Sequence, residues 1–205
     1  MKGKPGQKDY PRNLGPLRLV ENEFKEDLAK DLINYPNGKY IFVGSSTDMW
    51  SIPVLPQWIG NVLRYCKKFP ENAYLFQSKN PGRFTSYLSN FPINTILGTT
   101  IESNRPYPEY SNSPHPIQRA KAIKSHKLSE QMKTMITIEP ILDFDYHPFL
   151  EMIKDANPDF ITIGADSKVH GLKEPSKEKV EQFINELKAA GLNVLEKKNL
   201  NRLLK

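Results

Sequence analysis

Apolar and polar positions fall along this chain in one arrangement written five times: a short β-branched and aliphatic run that stops at residues able to bind or react. Tyr40 to Val43 runs into Gly44, Ser45, Ser46, Thr47 and Asp48, and Ala73 to Phe76 into Gln77, Ser78, Lys79 and Asn80. Thr95 to Ile101 carries Thr99 and Thr100 to Glu102, Ser103, Asn104 and Arg105. Met135 to Ile138 ends in Glu139 and Pro140, and Phe160 to Ile163 in Gly164, Ala165 and Asp166. Strands covered on both faces read as continuous apolar runs, and parallel strands of this kind present their chemistry at their C-terminal ends. The expected fold class is therefore α/β, a partial β/α barrel of about five to six parallel strands with its site at one rim.

Between the runs the apolar spacing changes to three and four. Glu21 to Ile33 places Phe24, Leu28, Leu32 and Ile33 on one face of an amphipathic helix, and Asn37-Gly38 closes it with turn residues. Pro56 is set to open a helix over Gln57 to Phe69. Further helices are predicted over Gly82 to Leu88, Ile117 to Lys127 and Pro148 to Ala156. Ser176 is the expected N-cap of Lys177 to Ala190, Gly191 its stop, and Leu192 to Leu195 a last short strand. The connection Asn104 to Pro116, with four prolines and the rings of Tyr107, Tyr110 and His115, is long for a βα loop and is expected to be a lid or a substrate contact. Residues 1–16 read as a flexible arm, and 17–205 as a single domain after Leu17 to Val20 opens it with an extended piece.

Charge adds a preference for anionic partners. Lys and Arg outnumber Asp and Glu by 29 to 23, the net charge is +6 and the pI about 9.2. The basic helix Ile117 to Lys127, with Arg119, Lys121 and Lys124, is the expected nucleic-acid contact, joined by Asn104 and Arg105 for nucleic acid or another substrate. One cysteine, Cys66, excludes an internal disulfide and a Cys-rich metal site, and its helical context makes it a small buried hydrophobe. The four histidines show no zinc-binding spacing, and the glycines form no phosphate loop. Without an apolar leader or a stretch of membrane-spanning length, the expectation is a cytoplasmic protein with no membrane partner.

The strand-end groups Asp48, Lys79, Glu102, Glu139 and Asp166 are expected to converge on one hollow, because adjacent parallel strands lie only about 5 Å apart. Buried charges are costly unless paired or bound to something. Three uses fit such a set. Carboxylates accept the hydroxyls of a ribose or sugar, two of them exchange a proton as acid and base, or they ligate a divalent cation. The last wants a tighter cluster than the lone Asp143-Phe144-Asp145, and no metal is expected.

The motifs IFVGSSTDMW, FQSKNPGR, LGTTIESN, TIEPILDFD and DFITIGAD, in this order and spacing, resemble the radical S-adenosylmethionine superfamily, in its phage- and prokaryote-associated uncharacterised branch distantly similar to spore photoproduct lyase. The resemblance covers roughly residues 17 to 195. It implies a partial (β/α)6 barrel holding S-adenosylmethionine beside an iron–sulfur cluster. By position, Ser45, Ser46 and Asp48 would lie near the methionine part, and Thr99, Thr100 and Glu102 near the ribose. Lys79, Glu139 and Asp166 are the catalytic candidates, the last two on the far wall. The family's CxxxCxxC triplet falls upstream of the segment matching Leu17 to Leu19, where this chain has Met1 to Pro16 and no cysteine. The expectation is thus a scaffold lacking its first strand and cluster loop, with no iron–sulfur cluster from this chain alone. Three functions follow: a cluster-free nucleotide- or nucleic-acid-binding protein of phage or prokaryotic origin, a split enzyme whose cluster segment is supplied by another polypeptide, or a carboxylate-based β/α-barrel enzyme acting on a sugar-like substrate.

Overall fold

The computed structural model describes residues 38–45, 47–109, 111–127, 132–167 and 170–205. The N-terminal arm, the Leu17 to Val20 piece, the Glu21 to Ile33 helix and Ser46 lie outside the described residues. The elements are β1 (Tyr40–Val43), α1 (Pro56–Cys66), β2 (Ala73–Gln77), a 3-10 helix (Pro81–Asn90), β3 (Thr95–Thr100), α2 (Pro116–Lys127), β4 (Met132–Ile138), α3 (Tyr146–Ala156), β5 (Phe160–Ile163), α4 (Lys177–Ala189), β6 (Val194–Glu196), a short 3-10 turn (Lys198–Leu200) and α5 (Asn201–Leu204).

The strands form one six-stranded sheet in sequence order, and every neighbouring pair is parallel. A parallel pair needs a crossover, and repeating that crossover from one strand to the next curls the sheet into an open barrel wall. Alternation along the strands separates two faces. Tyr74, Phe76 and Leu97 point outward, and with Trp50, Ile59, Leu63, Phe84 and Phe91 they form one buried cluster. A second cluster gathers Ile136, Ile138, Ile161 and Ile163 of β4 and β5 with Ile123, Phe149, Ile153, Phe183 and Leu187 of the helices. On the inner face β3 has Gly98, where an added Cβ would lie 3.0 Å from Met135 Cε and 3.2 Å from Leu75 Cδ1, so the side chains of β2 and β4 fill the space a side chain there would need. Phe42, in register with Leu75 on the same face, remains 41% exposed.

The predicted Gly82 to Leu88 α-helix is instead a 3-10 run. Gly82, Thr85, Ser86, Ser89 and Asn90 are weak α-formers that compete for their own backbone, and such a segment settles for the tighter ladder. The Ser176 cap stands as predicted, its hydroxyl accepting from Lys179 N, and Gly191 ends α4 at φ 81°.

His126 is wedged between α2 and the 3-10 run, its Nε2 3.1 Å from Pro81 O and its ring 5.8 Å from that of Phe84. Burial holds its pKa below the ordinary histidine value, against a smaller opposing effect of the Pro81 carbonyl. The unfolded chain then binds the proton more readily. This contribution to stability is complete above pH about 6.5 and is lost as pH falls through the depressed folded value. Urea unfolding at several pH values should show that decline, and His126→Gln should flatten it; an unchanged slope in the variant would remove His126 as its source.

Candidate ligand-binding site

Asp48, Lys79, Glu102, Glu139 and Asp166 all follow the C-terminal ends of consecutive parallel strands, β1 to β5. Their partners divide them. Asp48 Oδ2 accepts from Ser78 Oγ (2.8 Å) and Lys79 N (3.1 Å), and Oδ1 from Trp50 N (2.9 Å). The carboxylate thus ties the β1 and β2 ends together. Thr99 is fully buried and donates to Ser78 O, and Thr100 Oγ1 accepts from Gln77 Nε2. Ser45 is exposed. None of Ser45, Asp48, Thr99 and Thr100 lines the hollow described next.

That hollow, about 340 Å³, opens between the ends of β2 and β3, the first turn of α2 and the loop 104–116. Lys79, Glu102 and Arg119 form its polar floor. Glu102 Oε1 pairs with the Lys79 ammonium, and Oε2 accepts from Arg119 Nη1 at 3.1 Å. Burial alone pushes the Glu102 carboxyl up, but the Lys79 ammonium and Arg119 guanidinium outweigh it and bring it below the ordinary glutamate value. Glu102 is therefore held ionised, unsuited to giving up a proton near neutrality. Arg119 also donates to Thr100 O, and its Nε has no hydrogen-bond partner among the described residues.

The loop that forms the other wall is latched to the strand ends. Arg105 pairs with Asp143 (2.7 Å) and Asp145, Tyr107 Oη donates to Asp143 O (2.7 Å), and Asn104 Nδ2 to Asp145 Oδ2 (3.0 Å). Asp143 is also held by Lys179 (2.9 Å). The Lys179 ammonium, with Arg105 and Lys173, keeps Asp143 well below the usual carboxylate range, and the Arg105 guanidinium lowers Asp145 to about 2. The two aspartates of the DxD motif thus fasten a loop. Arg105, Tyr107 and His115 line the hollow from this side.

Glu139 and Asp166 do not join it. Glu139 is held by Lys197 and by Asn199 Nδ2 (2.6 Å), which also donates to Ala165 O (2.8 Å). Asp166 is buried and accepts from His170 at 2.8 Å, while its carbonyl accepts from Arg202 (3.2 Å). The segment after β6 therefore covers this end of the rim and supplies partners that sequence reading missed. Its only advance signal was the cluster of Lys197, Lys198 and Arg202, which reads as a solvated face. The basic-helix expectation needs correction too. Arg119 is 5% exposed and turned inward, away from Lys121, because the inward positions of α2 also include Ala120, Ile123 and His126. Lys124 pairs with Asp155 (2.5 Å) and Lys127 with Asp159 (3.8 Å).

Three thiolates are needed to hold a [4Fe–4S] cluster with one open iron. Cys66 is the one cysteine, and it packs in the outward-facing cluster with Leu63 and Tyr74, so the residues present do not fit that group. Among the described residues no three His, Cys, Asp or Glu side chains are grouped to hold a metal ion. Desolvation pushes the Cys66 thiol up to about 12. Native protein should accordingly resist a maleimide at pH 7 and react only on unfolding; fast labelling of the folded chain would contradict that burial.

No known family profile matches the chain, and no curated protein does. Ten chains of solved structures match. One is a cysteine-to-serine mutant of spore photoproduct lyase, with TM-score 0.59 and 12% identity over 83% of this chain and 65% of that one. Another is a doubly substituted form of the same lyase with bound AdoMet and dinucleoside spore photoproduct, with TM-score 0.48 and 13% identity over 78% and 48%. The chain spans less than two thirds of either structure's length. At this identity the likeness is one of fold. No helix among the described residues is long and apolar enough to cross a membrane.

Proposed function

We propose, from a radical-SAM-like fold as premise, that this chain is a nucleotide-binding protein that carries no iron–sulfur cluster of its own. The observation that carries the reading is the hollow of about 340 Å³ at the rim where parallel strands present their chemistry, floored by Lys79, Glu102 and Arg119 and walled by Tyr107 and His115. Its volume lies within the roughly 300–1,000 Å³ of small-molecule sites, and a lining that combines rings with charged groups suits a base joined to a polar tail. S-adenosylmethionine and simple nucleotides both belong to the class tested. An extended nucleic acid has less support, since two of the three lysines on α2 are already paired. So has carboxylate acid–base catalysis, since Glu102 is held ionised and Glu139 has separate partners.

The split-enzyme reading draws on one observation. Among the described residues β1 pairs only with β2, and Tyr40 and Phe42 are 55% and 41% exposed, which suits the addition of a polypeptide at that side.

Titration calorimetry with adenosine, AMP and S-adenosylmethionine tests the main reading. Saturable binding that shifts the amide resonances of residues 104–116 is expected, and an absence of heat and shifts for all three would end it. Anaerobic iron and sulfide reconstitution of the isolated chain is expected to leave it colourless; a brown product would refute the absence of a cluster.

A further inference from the structure

We infer that the ligand of this pocket carries an oxyanion of the phosphate-ester class, seated on Arg119 and Lys79, so that the occupant is a phosphorylated nucleoside. The inference rests on the nucleotide reading above and adds the chemistry of the ligand's tail. Arg119 is 95% withdrawn from solvent, since its exposure is 5%, yet among the described residues only Nη1 of its guanidinium is engaged, by Thr100 O and Glu102. Its Nε is buried without a partner among the described residues, and the side chain lines the hollow. A guanidinium offers five donors in a planar fork matched to phosphate or carboxylate oxygens. A buried donor left without an acceptor is penalised, and a ligand oxygen removes the penalty.

Charge points the same way. Lys79, Arg105 and Arg119 line the hollow against one carboxylate, Glu102. Arg105 is neutralised by Asp143 and Asp145, which leaves two cations sharing a single anion at the floor. Lys79 is 39% exposed on a flexible stem and is free to turn from Glu102 to an incoming group. A phosphate monoester brings about −1.5 to −2 charges to that floor. S-adenosylmethionine brings a sulfonium and an ammonium against one carboxylate, a net cation, so the floor favours the phosphate ester.

The test is calorimetry on the full chain with inorganic phosphate, adenosine, AMP and S-adenosylmethionine. AMP is expected to bind about tenfold more tightly than adenosine, in line with one or two charge-assisted hydrogen bonds, with inorganic phosphate competing and the advantage shrinking as salt rises. Arg119→Gln should bring the ratio of AMP to adenosine affinity close to one. Lys79→Met, at a half-exposed position, should reduce it several-fold even if the buried substitution fails to fold. A ratio near one in the unaltered protein, or tighter binding of S-adenosylmethionine than of AMP, overturns the oxyanion inference while the nucleotide reading stands. An AMP preference unchanged by Lys79→Met also overturns it, and failure of all four probes overturns both.

Discussion

Glu102→Ala is expected to unfold more easily than the parent chain and at the same time to bind inorganic phosphate more tightly. The carboxylate sits between Lys79 and Arg119, and Arg119 has almost no access to water. Removing one member of a buried ion pair costs about 3–5 kcal/mol, because the other is left charged in a poor solvent. Lys79 relaxes into water, so the lower end, about 3 kcal/mol, is expected. The loss should follow the carboxylate's titration. A glutamate whose folded pKa is depressed stabilises fully above its unfolded value near 4.3 and loses that contribution as pH falls through the folded one. The variant should therefore differ most from the parent near neutrality and converge with it in acid. With the competing anion gone, both cations face the hollow, and phosphate affinity rises several-fold. Urea titrations at pH 4 and 7, with phosphate calorimetry, read both effects. A stability change below about 0.5 kcal/mol would show that Glu102 does not serve as the counter-ion.

Trp50→Ala is expected to cost about 3–5 kcal/mol, the usual range for emptying a buried aromatic site. The indole is wholly buried and lies edge-on to Phe84, Tyr87 and Phe76 at 4.8, 5.5 and 6.0 Å, and tilted on Phe91 at 5.4 Å. Its backbone is fixed as well: the amide donates to Asp48, and the carbonyl accepts from Asn80 Nδ2 at 3.1 Å. Because Nε1 has no acceptor among the described residues, Trp50→Phe gives up packing but no hydrogen bond shown there and should cost clearly less. Thermal unfolding of the two variants checks the order, with a fall of roughly 10 °C for the alanine form. Equal losses would show that a phenyl ring recovers none of the indole's packing.

The strands were legible because each apolar run states its own burial: β1, β2, β3 and β5 lie within a residue of where those runs place them, while β4 starts three residues earlier, at Met132. The helix ends were legible where one residue sets them, as Pro56, Ser176 and Gly191 do. What escaped depends on partners far along the chain. Arg119 has the charge of a surface residue, but it shares the buried face of α2 with Ala120, Ile123 and His126, and bonds to Thr100 O and Glu102 hold it inward. Asp143 and Asp145 stand in the sequence only as a lone DxD spacing, whereas they bind Arg105, 38 and 40 residues away. Asp48 stands at a strand end like a ligand contact, but its oxygens are occupied by Ser78, Lys79 and Trp50. The position of a polar group at the rim follows from the pattern; whether it faces a ligand follows from which neighbour reaches it first.

The two buried clusters adjoin along β3, which carries Leu97 and runs into Ile101, without merging. Phe76 and Leu97 belong to one, and Ile101, Ala120 and Ile136 to the other. Lys79 rises from the first and Glu102 from the second, so their ion pair is a stitch across the seam. Slow amide exchange should then fall into two tiers, one for each side. An anion that draws Lys79 off Glu102 unpicks the stitch, and occupancy of the pocket becomes something the halves of the sheet register mechanically.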